Sequence, residues 1–307
     1  MQVPGRAHIV LDRLGTMGID AKGRVPMDRG EFERLLALNY AVVDALWKKK
    51  AKDVEFVYAD TFARKVFQHA ASAFMLWSQA TQVRVTGIDK LLDLTCDWPS
   101  MEVLARACLE TYLAFHYIYI EPGADQDAFQ FRYHSWIVAG FAKRESFPLI
   151  PGEDRKQLAD DATALKWHRR RIEKTGYFQS LKPGVRERVL AGRNWPPGVT
   201  LSGMAERVFG PVWGRAVYSY MCSHAHSDAL SVVQMKQAVS REDTTGMADT
   251  TMSKIALVLA HMTASYAAKF VKARKVLASH PDRELNVMYA NLAQYIPRSI
   301  GVEEDGL

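Results

Sequence analysis

The chain has 307 residues, a formal net charge of +6 and 48% hydrophobic residues, which is the composition of an ordinary globular protein. No apolar run reaches the roughly 18 residues that a membrane-spanning helix needs, so we expect no membrane partner. The three cysteines, Cys96, Cys108 and Cys222, form no Cys-x-x-Cys pair, which argues against a cysteine-based zinc site and predicts free thiols in a cytoplasmic protein.

Two helices are predicted in the N-terminal part of the chain. Asp28 is followed three residues later by Glu31, which is the arrangement of a capping box, and the helical pattern that begins there ends at the lysines of residues 48–52. A second helix is predicted over residues 54–80. The segment "TQVRVTG" that follows alternates like a strand but has no evident partner in the sequence.

Helical patterns also fill the rest of the chain. Pro99 and Ser100 begin a helix that is predicted to reach residue 120, and another is predicted over residues 125–145. One or two helices should follow in the basic segment, and residues 212–239 are predicted as one long helix that "SREDTTG" ends. The last long helix has an apolar face with a spacing of three and four residues: Ile255, Leu259, Met262, Tyr266, Phe270, Ala273 and Leu277.

These patterns predict an all-α fold, an elongated multi-helix bundle. We expect a single helical domain over residues 1–307. The alternative is a subdivision into an N-terminal helical subdomain (1–96), a core bundle (97–296) and a tail (297–307). The motifs GxGxxG, Walker A, HExxH, GxSxG and Glu-x-x-His do not occur, so we expect neither a cofactor nor a metal site.

From Val103 onward, the helix predicted over Met101–Ile120 is apolar on all sides, which is typical of a buried helix, yet this part contains two charges. Arg106 and Glu110 are four residues apart and can therefore face each other across one turn. Each would cost several kcal/mol to bury alone, so a partner is required. The pair is either an ion pair that fixes the packing of the helices or part of an internal polar site.

The stretch "YSYMCSHAHSDALS", residues 218–231, places polar groups in an otherwise apolar helix. His224 and Asp228 are four residues apart, which allows a hydrogen bond or two metal ligands on one face. His226 lies on an apolar strip between Cys222 and Leu230, where burial would disfavour its charged form and leave a neutral acid–base group. The alternative is a histidine that is simply hydrogen-bonded in the core.

The net positive charge is concentrated in one region, with nine Lys and Arg against two Glu between Lys166 and Arg193. Such a region can bind the phosphates of a nucleic acid, and it can equally be a solvated surface between helices. The candidate nucleic-acid-binding residues are Lys166, His168, Arg169, Arg170, Arg171, Lys174, Arg186 and Arg188.

The segments "LARACLETYL" and "YMCSHAHSDALS" together resemble a bacterial family of helical proteins, domain of unknown function 5677. In that family an Arg-x-x-x-Glu helix is paired with a later helix that carries tyrosine, cysteine or serine, and His-Ser. The resemblance covers about half of the chain and implies no known reaction. It implies that the following residues lie together: Arg106, Glu110, Tyr218, Cys222, His226 and Ser227.

More distantly, such bundles resemble the HEPN superfamily, which includes metal-independent ribonucleases. The signature of that superfamily is an arginine followed, after four to six residues, by a histidine. Here that spacing occurs at Arg64/His69 and at Arg274/His280, a frequency that chance alone supplies, and neither pair lies in the two helices named above.

Three functions follow from these residues. The first is an RNA- or nucleotide-acting enzyme of toxin or defence type, in which Arg106 holds a phosphate, Glu110 orients Arg106 and His226 moves a proton, with Tyr218, Cys222, His224, Ser227 and Asp228 in support. The second is a non-catalytic helical module that binds a partner protein or forms a homodimer. The third is a bundle that binds a small anionic ligand in its core.

Overall fold

The computed structural model describes residues 27–46, 56–78, 96–147, 155–193, 195–226, 228–238 and 240–299. These parts of the chain are helical and contain no strand, which confirms the all-α prediction. In chain order the helices are α1 (Arg29–Asp44), α2 (Ala59–Ser78), α3 (Trp98–Phe115), a π-helical turn (His116–Ile120), α4 (Gln126–Glu145), α5 (Arg155–Glu173), α6 (Gly176–Ser180), α7 (Pro183–Leu190), α8 (Leu201–Phe209), α9 (Pro211–Ala225), α10 (Ala229–Gln237), α11 (Arg241–Lys269), α12 (Val271–Ser279) and α13 (Arg283–Ser299).

The packing of the chain divides it into two compact units. Unit 1 contains the described residues up to Tyr112 and those from Ala205 onward, and unit 2 contains Leu113–Met204. Both boundaries fall inside helices, α3 and α8, and neither coincides with residues 96/97 or 296/297. The single-domain organisation stays a prediction.

The centre of unit 1 is α11, which packs against α1, α2, α12 and α13. Its residues Ile255, Leu259, Met262 and Tyr266 are fully buried, which confirms this part of the predicted apolar face. The chain around this face differs from the predicted single helix in two places. Ser240 caps α11 at its N-terminus, so "SREDTTG" begins this helix rather than separating two others, and the chain becomes extended at residue 270 before α12.

Helix α3 confirms the predicted helix that starts near Pro99. Its last turn before residue 121 is π-helical, so the helical path reaches Ile120 as expected. One half of the predicted capping box, the N-cap at Asp28, is also confirmed, because the Asp28 carboxylate accepts the Glu31 amide at 2.7 Å.

The predicted single helix over residues 212–239 is wrong, because the chain forms α9 and α10 with a break between them. Asp228 lies in this break with an extended backbone, and its carboxylate accepts the main-chain N–H groups of Leu230 at 3.0 Å and Ser231 at 3.3 Å. Aspartate is favoured at a helix N-cap over a helix interior, so this local preference overrides the apolar pattern.

Two glycines place α9 against α8. Gly210 adopts φ = +85° at the start of α9, a conformation that other residues rarely adopt. At Gly214 an added Cβ would collide with the main chain of Ala205 in α8. The close approach of these two helices therefore requires the absence of a side chain.

Unit 2 is built around α4 and α5, which pack side by side. Residues from α4 to α7 form its core: Phe131, Val138, Leu165, Ile172, Phe178 and Val189. The Asp127 carboxylate accepts the amides of Gly176 at 2.9 Å and Tyr177 at 2.7 Å, and so fixes the start of α6 on α4.

Two further predictions concern a strand and a membrane-spanning helix. The strand-like segment 81–87 lies outside the described residues, so its prediction has no structural outcome here. Among the helices that are described, none is both long enough and apolar enough to cross a membrane.

Candidate functional site

Four residues of α3 occur at intervals of four and therefore share one face of this helix: Trp98, Glu102, Arg106 and Glu110. Burial decreases along the stripe. Glu102 is completely buried, whereas 17% of the Arg106 side chain and 32% of the Glu110 side chain are exposed. The stripe has a buried end at Glu102 and an open end at Arg106 and Glu110.

At the open end, Arg106 contacts both predicted partners. Its Nε donates to Glu110 Oε1 at 2.7 Å, and its Nη1 lies 2.9 Å from Nε2 of His226, which is 120 residues away in the chain. Because a guanidinium has donors only, Nε2 of His226 must be the acceptor, which places the imidazole proton on Nδ1. The imidazole in this contact is thus the neutral form.

Arg106 stays positively charged in this arrangement. Burial alone would lower its pKa, but the hydrogen bond and the negative charge of Glu110 raise it above its ordinary value. Arg106 is therefore a permanent cation at a partly open position, which suits the binding of an anion.

Tyr218 and Cys222, both predicted members of the cluster, lie beside this pair on α9. The Tyr218 hydroxyl donates to Glu110 Oε1 at 3.4 Å. Burial, followed by its contact with Cys222, raises the pKa of Tyr218 above the ordinary range, so the hydroxyl keeps its proton and stays a donor. The structure therefore brings together five of the six residues that the resemblance grouped. The sixth, Ser227, lies outside the described residues.

His226 is in a different environment from the predicted one. It was expected on a buried apolar strip, but it is exposed and forms the C-cap of α9, where its main-chain N–H donates to the Cys222 carbonyl at 3.0 Å. The difference arises because the helix ends here, so the interior positions expected beyond it do not exist. An exposed imidazole can meet a ligand from solvent, which a core histidine cannot.

The expected pairing of His224 with Asp228 is wrong, because Asp228 caps α10 instead. His224 is buried, and its Nε2 lies 2.9 Å from Oε1 of Gln234 in α10. Its ring packs against Trp98 at 5.1 Å and Tyr220 at 4.8 Å between centroids. His224 therefore ties α9 to α3 and α10. Among the residues that the structure describes, no three His, Cys, Asp or Glu side chains lie close enough together to hold a metal.

The buried end of the stripe contains an ion pair that the sequence did not predict. Glu102 Oε1 accepts from the Lys254 ammonium of α11 and, at 2.6 Å, from the Thr251 hydroxyl. The ammonium also lies 4.1 Å from the centroid of the Tyr220 ring. Glu102 Oε2 has no hydrogen-bond partner. Burial lowers the pKa of Lys254, and Glu102 opposes that shift.

In unit 2, four of the predicted nucleic-acid-binding residues interact with the protein itself, and one of them, Arg171, donates to Gln130 at 3.1 Å while its side chain stays exposed. Arg169 Nε donates to the Leu190 carbonyl at 2.8 Å, and Arg186 Nε donates to the Leu181 carbonyl at 2.9 Å. His168 is half-buried and contacts another histidine of unit 2. The predicted residues with exposed side chains are Lys166, Arg170, Arg171, Lys174 and Arg188.

In both arginine–histidine pairs with HEPN-like spacing, the arginine makes a local structural contact. Arg64 pairs with Asp60 at 3.3 Å on α2, and His69 is partly buried with no hydrogen-bond partner at Nε2. Arg274 donates to main-chain carbonyls at the end of α11, where it stabilises the helix terminus. His280 accepts a main-chain N–H two residues further along the chain.

No protein-family profile matches this chain, and comparisons with curated proteins and with solved structures give no match. The resemblance to domain of unknown function 5677 and to HEPN proteins therefore stays a prediction.

Proposed function

We propose that the protein is a ribonuclease that acts through Arg106 and His226 without a bound metal. The observation that carries the proposal is the 2.9 Å contact between the Arg106 guanidinium and the His226 imidazole, at a position that solvent reaches. A fixed cation and a neutral imidazole are the two groups that phosphodiester cleavage by acid–base catalysis requires.

In the resting protein, Arg106 occupies the lone pair of His226 Nε2. A phosphate oxygen is a charged acceptor and therefore competes well for the Nη1 hydrogen of Arg106. Binding of a phosphodiester would then free Nε2 beside the bound phosphate. The same event would bind the substrate and release the base.

The reaction would begin when Nε2 of His226 removes the proton of the ribose 2′-hydroxyl. The 2′-oxygen forms a bond to phosphorus, and the bond from phosphorus to the 5′-oxygen breaks. The imidazolium returns its proton to the departing 5′-oxygen. The products are a 2′,3′-cyclic phosphate and a 5′-hydroxyl, and no further reactant is needed. Arg106 would stabilise the charge that develops on the phosphoryl oxygens.

Glu110 and Tyr218 would be positioning residues. Glu110 accepts from Arg106 Nε and so fixes the plane of the guanidinium. Tyr218 donates to the same carboxylate oxygen and limits its movement. Neither contact involves His226, so changes at these two residues should affect the reaction less than changes at Arg106 or His226.

The test compares full-length protein with its His226→Ala and Arg106→Ala variants on fluorescent single-stranded RNA, in the presence of a chelator. We expect cyclic-phosphate ends from the wild-type protein, and a rate about 10²–10⁴-fold lower in His226→Ala. A 2′-deoxy substitution at the cleaved position should abolish the reaction. Melting curves of all proteins separate lost catalysis from lost folding.

His280→Ala is the matched control, because His280 belongs to a spaced arginine–histidine pair outside the proposed site. It should cleave RNA at the wild-type rate. If the wild-type protein shows no cleavage, or if His226→Ala cleaves as fast as wild type, the proposal is wrong.

A second candidate function is self-association through α10. Four apolar side chains of this helix are about half exposed: Leu230, Val232, Val233 and Met235. Only Ser231 of α10 is buried, so the helix contacts the rest of unit 1 along a narrow edge. This concentration of exposed apolar groups favours a homodimer as the alternative to a purely catalytic monomer.

Light scattering over a concentration series tests this candidate. A homodimer that uses α10 should dissociate in Val232→Lys and Val233→Lys, while Val271→Lys, at an exposed valine of α12, should leave its mass unchanged. A wild-type protein that is monomeric at every concentration contradicts self-association.

A further inference from the structure

One face of α5 in unit 2, together with the turn that follows it, carries three cations and an exposed indole. Arg170 and Arg171 lie three and four residues after Trp167, so these three share a face of α5, and Lys174 follows directly after the helix ends. All four are exposed, and 45% of Trp167 is in contact with solvent. Glu173 is about 120° around the helix from Trp167, and because it lies three residues after Arg170 it borders this face.

Contacts with two histidine rings of unit 2 hold the Trp167 ring in place. It meets the His168 ring edge to face at 4.7 Å and the His134 ring at 5.4 Å between centroids. Cζ of Arg171 lies 5.6 Å from the indole centroid. An aromatic side chain whose orientation is already fixed loses little entropy when a ligand stacks on it.

A chain of hydrogen bonds makes this backing rigid. His134 is fully buried, with its Nδ1 2.8 Å from Nδ1 of His168 and its Nε2 3.0 Å from Oε1 of Gln130. Arg171 Nη2 donates to the same Gln130 oxygen at 3.1 Å. The guanidinium is therefore fixed together with the ring that it flanks.

The surface continues beyond α5 to a second aromatic residue. Tyr177, three residues after Lys174, is 39% exposed, and its ring packs on Phe131 at 4.6 Å. The nearby Asp127 carboxylate is engaged by the main-chain N–H groups at the start of α6. Three exposed cations thus lie between two exposed rings along this part of the chain.

We propose that this α5 surface binds single-stranded RNA, with a base stacked on Trp167 and the backbone phosphates on Arg170 and Lys174. Exposed rings on either side of a group of cations suit an unpaired strand, because its bases have exposed faces that a duplex hides. The inference names the substrate class of the proposed ribonuclease and rests on that function for the choice of RNA. It adds Trp167 and Tyr177 to the predicted basic residues.

Fluorescence anisotropy with a labelled, unstructured RNA measures this binding over a salt series, using both the full-length wild-type protein and its His226→Ala variant. We expect single-stranded RNA to bind more tightly than duplex RNA. Trp167→Ala should weaken binding at least about fivefold and leave the salt dependence unchanged, because stacking releases no counterions. Trp167→Tyr should restore most of the affinity.

Replacing the cations, in contrast, should change the salt dependence of RNA binding. Arg170→Gln and Lys174→Gln should each reduce the slope of log K against log salt by about 0.7. Tyr40→Ala and Lys236→Gln are matched controls, at an exposed aromatic residue and an exposed lysine of unit 1, and should bind as wild type does.

The inference is overturned if Trp167→Ala binds as tightly as wild type while folded, if duplex RNA binds as tightly as the single strand, or if the wild-type protein binds no RNA. The outcome is separable from that of the proposed reaction. Binding that depends on Trp167 without any cleavage supports this surface and contradicts the ribonuclease. RNA cleavage at the wild-type rate in Trp167→Ala supports the ribonuclease and contradicts this binding surface.

Discussion

Each end of the α3 stripe contains an ion pair, and the two pairs have opposite surroundings. At the buried end, Glu102 and Lys254 are largely removed from water, and each charge compensates the other. At the open end, Arg106 and Glu110 remain partly in water, and His226 beside them is exposed. Burial thus distinguishes the two ends. Changes at the buried end should affect stability, and changes at the open end should affect activity.

The largest expected effect is at the buried end. Lys254→Met leaves the Glu102 carboxylate without its cation, and this should lower the free energy of unfolding by about 3–5 kcal/mol. Urea denaturation measures the loss. Combining Lys254→Met with Glu102→Gln removes both charges and should recover most of the stability. Lys236→Met, at an exposed lysine of α10, is the control and should change stability by less than about 0.5 kcal/mol.

A Lys254→Met protein that is as stable as wild type would contradict the distinction between the two ends. So would a folded Lys254→Met protein without RNA cleavage, because the buried end would then take part in the reaction.

In unit 2, the fully buried His134 allows the effect of burial on stability to be tested by changing the pH. Burial, reinforced by His168 and Arg171, lowers the pKa of His134 to about 3 from 6.5. The unfolded chain binds a proton below pH 6.5 that the folded chain refuses until about pH 3, so stability is lost as pH falls through this window. The loss should approach about 1.4 kcal/mol per pH unit, or about 2 kcal/mol between pH 6.5 and 5.

Denaturation curves at pH 7, 6 and 5 check this value. His134→Gln cannot titrate, so its stability should depend less steeply on pH even though it starts from a less stable protein. Equal pH dependence in the two proteins would show that His134 is not the group responsible.

At the open end, Arg106→Lys should reduce RNA cleavage at least about tenfold, because an ammonium cannot hold Glu110 and a phosphate through one planar fork. The free energy of unfolding should fall by less than about 1 kcal/mol, as for other partly exposed pairs. Arg215→Lys is the control, since Arg215 pairs with Glu206 at the surface near the start of α9. A large loss of stability in Arg106→Lys would mean that the open end, like the buried end, contributes mainly to stability.

The sequence predicted the parts of this site that depend on local spacing. Arg106 and Glu110 are four residues apart on one helix, and their contact follows from helical geometry alone. The exposure of His226 could not be predicted, because it depends on where α9 ends, and the cap at Asp228 decides that. Glu102 was missed because its partner Lys254 is 152 residues away. In the sequence, Glu102 and Lys254 each resemble an ordinary surface charge, because only the packing of the helices brings them together.

The smallest expected effect separates orientation from charge at Glu110. In Glu110→Gln an amide oxygen can still accept from Arg106 Nε, so stability should change by less than about 0.5 kcal/mol and cleavage should fall less than about tenfold. Glu110→Asp keeps the charge but is one methylene shorter and loses the 2.7 Å contact. If Glu110 acts by orienting the guanidinium, kcat for Asp is lower than for Gln, with KM little changed. The opposite order would mean that the negative charge itself is required, and Glu110 would then act on the reaction rather than through Arg106.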